Sequence, residues 1–222
     1  MVMGFWSSVG SAISSACSFV SSAVSSIGSA LASSATKLLG VAGKYLEPVS
    51  TIIQIIAVLI DVLKPDDDIE EIGAKAMQPE SKKPEDFDSN AEYIDYLKNE
   101  VTLDKEKFDK ANSAEKAART AVGASIVAKG IEEKKGFDIP LSTWVAMAKL
   151  NLTDKAQEID TILETFKDGK LDDFVKYTEG KLEAKKELEV GDTLVEMYKE
   201  LEPNANIEDI EKKVMNMDLG NK

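Results

Sequence analysis

Between residues 9 and 38 apolar side chains recur at steps of three and four: Val9, Ile13, Ala16, Val20, Ala23/Val24, Ile27, Leu31, Ala35 and Leu38. That spacing lines one side of an α-helix, and strand alternation does not fit because the intervening serines come in adjacent pairs. The pairs mark a repeat. Ser7–Ile13, Ser14–Val20 and Ser25–Leu31 are seven-residue units, and Ser21–Val24 is a four-residue unit between them. Four residues inserted into a heptad pattern form a stutter, which predicts one continuous helix whose apolar seam drifts. Small residues, namely Gly10, Ser14, Ser18, Ser22, Ser25, Gly28 and Ser29, make a second stripe. Small side chains let helix backbones approach closely. Serine is a middling helix former and each glycine costs about 1 kcal/mol relative to alanine. The helix is therefore expected to need a partner surface.

The pattern changes after Pro48, which suits a first helical turn. Val49–Leu63 is almost all hydrocarbon, with Ile52, Ile53, Ile56, Leu59, Ile60 and Leu63, and Pro65 ends it. The run is shorter than the roughly 20 apolar residues of a membrane span. It predicts a buried helix, or one arm of a helical hairpin with residues 5–46. Lys64–Asn90 holds Asp66, Asp67, Asp68, Glu70, Glu71, Pro79 and Pro84. It reads as an exposed, mobile linker with a short helix over Ile69–Met77.

Helical spacing returns at Ala91 and runs to Asn112. A second helix is expected from a Ser113 cap to Lys135, ended by Gly136, with an unusually small and apolar middle from Ala117 to Ala128. Further helices are predicted over Ile139–Leu150, from Thr153 or Asp154 to Gly169, over Leu171–Leu201 with weak points at Gly180 and Gly191, and over Ile207–Met217. No strand signal survives. The expected fold is all-α: a small-residue helix or helical hairpin over residues 1–63, an acidic linker over 64–90, and an acidic multi-helix domain over 91–222.

Charge sharpens this division. Residues 1–63 carry only Lys37, Lys44, Glu47 and Asp61, whereas the remainder holds 25 basic and 38 acidic residues and all of the net charge of −13. The acidic balance argues against nucleic acid, whose phosphates need Lys and Arg. It also argues against electrostatic attraction to anionic lipid. No Lys or Arg precedes Lys37, so the positive region of a signal peptide is missing.

Candidate chemistry is sparse. Histidine is absent and Cys17 is the single cysteine, which removes the commonest general base, the usual metal sets and any internal disulfide. Gly40–Tyr45 lacks the first glycine and the hydroxyl of a phosphate loop. Glu71 stands where a calcium loop over Asp66–Glu71 needs glycine. Carboxylates sit beside lysines at helical spacing, as on solvated faces. No catalytic residue, cofactor or metal ligand is expected, and the chain reads as a non-enzyme. Trp144 reads as a core aromatic. Phe5-Trp6, ahead of an uncharged helix, reads as an interfacial anchor or as a terminus tucked against the soluble domain.

Thirteen serines among the first 36 residues make a lone helix a poor bilayer span, yet no charge before Lys37 forbids entry. The segment thus reads as a conditional element, covered in water and able to enter a membrane as an assembly. In layout, residues 1–63 ahead of an acidic region resemble the small pore-forming effectors of bacterial contractile secretion systems and phage proteins ejected into envelopes. That resemblance implies a helical, membrane-active toxin, cytoplasmic before delivery without a signal peptide, membrane-associated and homo-oligomeric at its destination. Its partners would be membrane lipid or a carrier or secretion-particle protein. Two other readings stand beside it: a structural or ejected component of a phage or injection particle packing through its N-terminal helix, and an adaptor or chaperone whose acidic helices bind a basic partner.

Overall fold

The computed structural model describes residues 3–220, and the side chains of these except for 3–11 and 42. Among the described residues the chain is all-helical, with twelve α-helices and no strand. It divides into two compact units, Met1–Gly136 and Phe137–Lys222. The first holds α1 (Met3–Ser22), α2 (Val24–Ala42), α3 (Leu46–Leu59), α4 (Ile69–Ala76), α5 (Asn90–Asn99), α6 (Lys105–Asp109) and α7 (Ser113–Lys135). The second holds α8 (Leu141–Lys149), α9 (Ala156–Thr165), α10 (Leu171–Thr178), α11 (Ala184–Leu201) and α12 (Ile207–Met215).

Helix α7 is the axis of the first unit; α1, α2, α3, α4 and α5 all pack on it. Local chemistry sets its ends. Asn112 Oδ1 accepts the amides of Ala114 and Glu115, both at 3.0 Å, so the cap is Asn112 rather than the expected Ser113. Gly136 turns left-handed at φ 77° and donates its N–H to the Glu132 carbonyl, where only glycine avoids a Cβ penalty. The small middle of α7 explains how so many helices reach it. Ala118, Ala121, Val122, Gly123, Ala124 and Val127 are all buried. At the α4 crossing the backbones touch. A Cβ on Gly73 would overlap the Arg119 carbonyl oxygen, and one on Gly123 would overlap that of Ile69.

Several expectations need correction. Residues 64–90 are only in part the exposed linker expected: the helix predicted over Ile69–Met77 forms as α4 and packs on α7, while most of residues 79–88 is exposed. Helix α4 is capped by Asp68, whose Oδ1 accepts the Glu71 amide at 2.9 Å, and it buries Ile69, Ile72, Gly73, Ala74, Lys75 and Ala76. Its acidic residues line the outer face of a helix whose inner face is apolar, and composition averages the two away. The N-terminal helix is also not continuous. It breaks at Ala23, and again at Gly28, whose backbone stands at φ 75° and ψ 160° inside α2. Helices α2 and α3 meet at a 104° elbow over Gly43–Tyr45, so they form a bend rather than an antiparallel hairpin. The predicted helix over 91–112 is two, α5 and α6, with Ser89 capping the first and Asp104 the second.

The second unit packs α8 on α10, and α11 on α9, α10 and α12. Trp144 is buried, as expected, with Met147, Ile159, Leu163, Phe166, Phe174 and Leu194. The expected weak point at Gly180 is real, since the chain turns there at φ 63° between α10 and α11. Gly191 stays helical within α11.

Candidate functional site: the charge-poor helical sheath

Helices α1, α2 and α3 form a sheath on α7. The apolar stripe faces inward: Ala16, Val20, Ala23, Ile27, Leu31, Ala35 and Leu38 are buried, followed by Val49, Ile52, Ile53 and Ile56. Only Val24 of the stripe's central positions is exposed, at 37%. The break at Ala23 and the kink at Gly28 re-aim successive turns, so that the stutter does not carry the stripe off α7. At the end of α3, Leu63 is buried, Ile60 half-buried and Leu59 exposed.

The small-residue stripe faces the other way. Ser14, Ser18, Ser22, Ser25 and Ser29 are exposed. Ser18 Oγ donates to the Ser14 carbonyl at 3.0 Å and Ser22 Oγ to the Phe19 carbonyl at 2.7 Å, the back-bonding by which serine covers its own hydroxyl within a helix. Gly28 differs from the serines in being buried. Phe5, Trp6 and Gly10 belong to α1, but their side-chain surroundings lie outside the described residues. The small residues are expected to serve close association with lipid-embedded helices or other copies. Within the chain they are the free face, and the larger apolar residues pack.

The sheath's far end is fastened by polar chemistry. Helix α3 closes in a Schellman turn: Val62 N–H donates to the Ala57 carbonyl at 2.7 Å and Asp61 N–H to that of Val58 at 3.2 Å. Asp61 occupies the left-handed position at φ 56°, where glycine is usual. Beyond it, Gln54 Nε2 donates to the Asp67 carbonyl at 2.7 Å, and the Asp67 carboxylate pairs with Lys98 of α5 at 2.5 Å. On the same side Arg119 of α7 is buried. It donates to Glu115 at 2.5 Å and to the Phe108 carbonyl at 3.1 Å, and its guanidinium lies over the Phe108 ring. Glu70, 3.9 Å from Arg119, is held above the usual carboxylate pKa chiefly by burial, partly offset by Lys116. A cleft of about 610 Å³ opens beside the Schellman turn over Val62, Ile94 and Gly130. Its rim mixes Lys64, Lys98 and Lys134 with Asp61, Asp95 and Glu133, so it selects neither sign of charge.

No single helix among the described residues is long and apolar enough to cross a membrane. The bent pair Val24–Val41 and Gly43–Leu59 passes that test only when both arms are taken together. Among the described residues no group of three His, Cys, Asp or Glu side chains is placed to hold a metal ion.

One polar cluster escaped sequence reasoning because its members lie on three helices of the second unit. Glu158 of α9 is buried, accepts the Tyr198 hydroxyl of α11, and is approached by Lys213 of α12 at 3.4 Å. Lys213 also pairs with Glu202 at 2.7 Å and sits 4.0 Å from the Tyr198 ring centre. Burial and the bond to Glu158 push the Tyr198 phenol pKa up. The carboxylate is bonded to groups on two other helices, so the cluster ties α9, α11 and α12 together. Against protein-family models, curated proteins and solved structures, the chain matches none.

Proposed function

We propose that this protein acts on membranes without enzymatic chemistry, as a pore-forming effector whose first 63 residues leave α7 to insert or oligomerise while the acidic remainder stays in water. One observation carries the reading. The apolar stripe of residues 16–56 is covered by a helix of the same chain, and the outward face of that segment bears no ionised side chain before Lys37. An ordinary solvated helix carries charge on its outer face. A face of serine and alanine tolerates water but costs little to remove from it, because each serine hydroxyl can bond its own helix. The elbow pair α2–α3 supplies enough apolar length to reach across a bilayer once both arms are engaged.

The test is dye release from lipid vesicles of zwitterionic and of anionic composition, with the full chain added at increasing concentration. Release that rises more steeply than the first power of concentration is the expected result, since an oligomer is required. Neither binding nor release at any composition sinks the reading.

The exposed serines favour a second reading, a structural component assembling through that face. Ser18→Arg with Ser25→Arg would then abolish self-assembly, measured by light scattering without lipid, and leave the helical content intact. The membrane reading expects no lipid-free assembly to lose.

A further inference from the structure

The two ends of the sheath are held differently. The α3 end has the Gln54 bond, the Asp67–Lys98 pair and the Schellman turn. The α1–α2 end is held by apolar contacts, among them Ala16, Val20, Ala23 and Ile27. At one point it meets a charged group. Glu85, in the short turn Pro84–Asp86, lays its carboxylate against the Gly28 kink: a Cβ on residue 28 would lie 2.5 Å from Oε1 and 2.9 Å from Oε2. The backbone of Gly28, at φ 75° and ψ 160°, lies in a region open essentially to glycine alone. No cation among the described residues forms an ion pair with Glu85. The contact is therefore one of packing, weak in charge and made by the movable end of an exposed side chain.

We infer that the Gly28–Glu85 contact is the clasp that keeps residues 12–27 on α7, and that the sheath opens first from this end, hinging at the Gly43–Tyr45 elbow before α3 is released. This rests on the membrane reading for its purpose but not for its physics. Gly43 suits a hinge, because it stands at φ 47° with open space where a Cβ would be. Opening the clasp would uncover Ala16, Val20, Ala23 and Ile27, the residues that a bilayer or another copy would then cover.

Hydrogen–deuterium exchange on the full-length protein tests it. In Gly28→Ala, exchange over residues 12–27 should quicken about tenfold while residues 52–57 and 118–127 keep their protection. Glu85→Ala, an exposed change that leaves the kink legal, should quicken the same residues about threefold. Gly40→Ala, where the structure has open space, should change nothing there. The clasp is overturned if Glu85→Ala leaves residues 12–27 as protected as before, or if protection is lost across the whole first unit together. Vesicle dye release by the same variants separates the two ideas. Quickened exchange with faster release supports both, whereas quickened exchange with no release keeps the clasp and rejects the membrane reading.

Discussion

Tyr93 is 1% exposed and its hydroxyl has no hydrogen-bond partner. A buried, unpaired hydroxyl costs on the order of 1–3 kcal/mol. Burial first, then Tyr96 and Glu85, raise its pKa above the ordinary phenol value of 10.0. The folded protein thus keeps a proton that the unfolded chain releases, so stability must fall as pH rises above that ordinary value. Tyr93→Phe should raise the first unit's stability by about 1 kcal/mol near neutral pH and flatten its alkaline decline; urea unfolding at neutral and at strongly alkaline pH reads both. Tyr198→Phe should do the reverse at neutral pH and cost the second unit about 1–3 kcal/mol, because Glu158 loses its buried donor. None of this was legible in the sequence. A tyrosine in Glu92-Tyr93-Ile94 promises a half-buried ring, and only the neighbours decide whether its hydroxyl finds a partner. Asp61 was legible only as a polar interruption of the hydrocarbon run, since its left-handed φ follows from where α3 has to stop.

At the scale of elements, α7 was the most readable part of the chain. Its length, its small middle and its Gly136 stop all follow from local pattern, and the structure differs at the cap by one residue. What pattern could not supply was the reason for the small residues. They admit α4 to backbone contact at Gly73 and Gly123. Gly123→Ala should therefore cost at least about 2 kcal/mol, since helix axes rather than flexible side chains must move. Gly40→Ala, in open space within α2, should gain about 0.5–1 kcal/mol. Thermal unfolding of the two variants side by side separates contact from propensity. The repeat misled for the same reason. It treats Gly10 and Gly28 as equivalent members of a seven-residue unit, but Gly28 leaves helical φ/ψ and kinks the chain whereas Gly10 lies within α1.

For the whole molecule, charge and packing divide the chain in different places. Net charge changes at residue 63, while compactness changes at Gly136, because the acidic α4 and α5 use their apolar faces to share a core with the uncharged sheath. All-helical architecture was legible from periodicity; which helices share a core was not, since periodicity gives each helix a face but no address. Residues 137–222 produced alone should fold and melt cooperatively, with Trp144 fluorescence reporting the transition. Residues 64–136 produced alone should not fold, because α7 loses three of the helices that cover it. Deleting residues 1–63 is thus a poor test of function, and point changes in the clasp are better ones. The position of α7 also matters before folding is complete. The sheath leaves the ribosome before α7, and residues 64–112 must be made before its cover begins to appear. At ordinary translation rates that interval is about 3–10 seconds. A nascent chain holding an uncovered, charge-free apolar stripe for so long should recruit a ribosome-associated chaperone, which crosslinking of stalled nascent chains would detect, and slow codons in that stretch would lengthen the exposure.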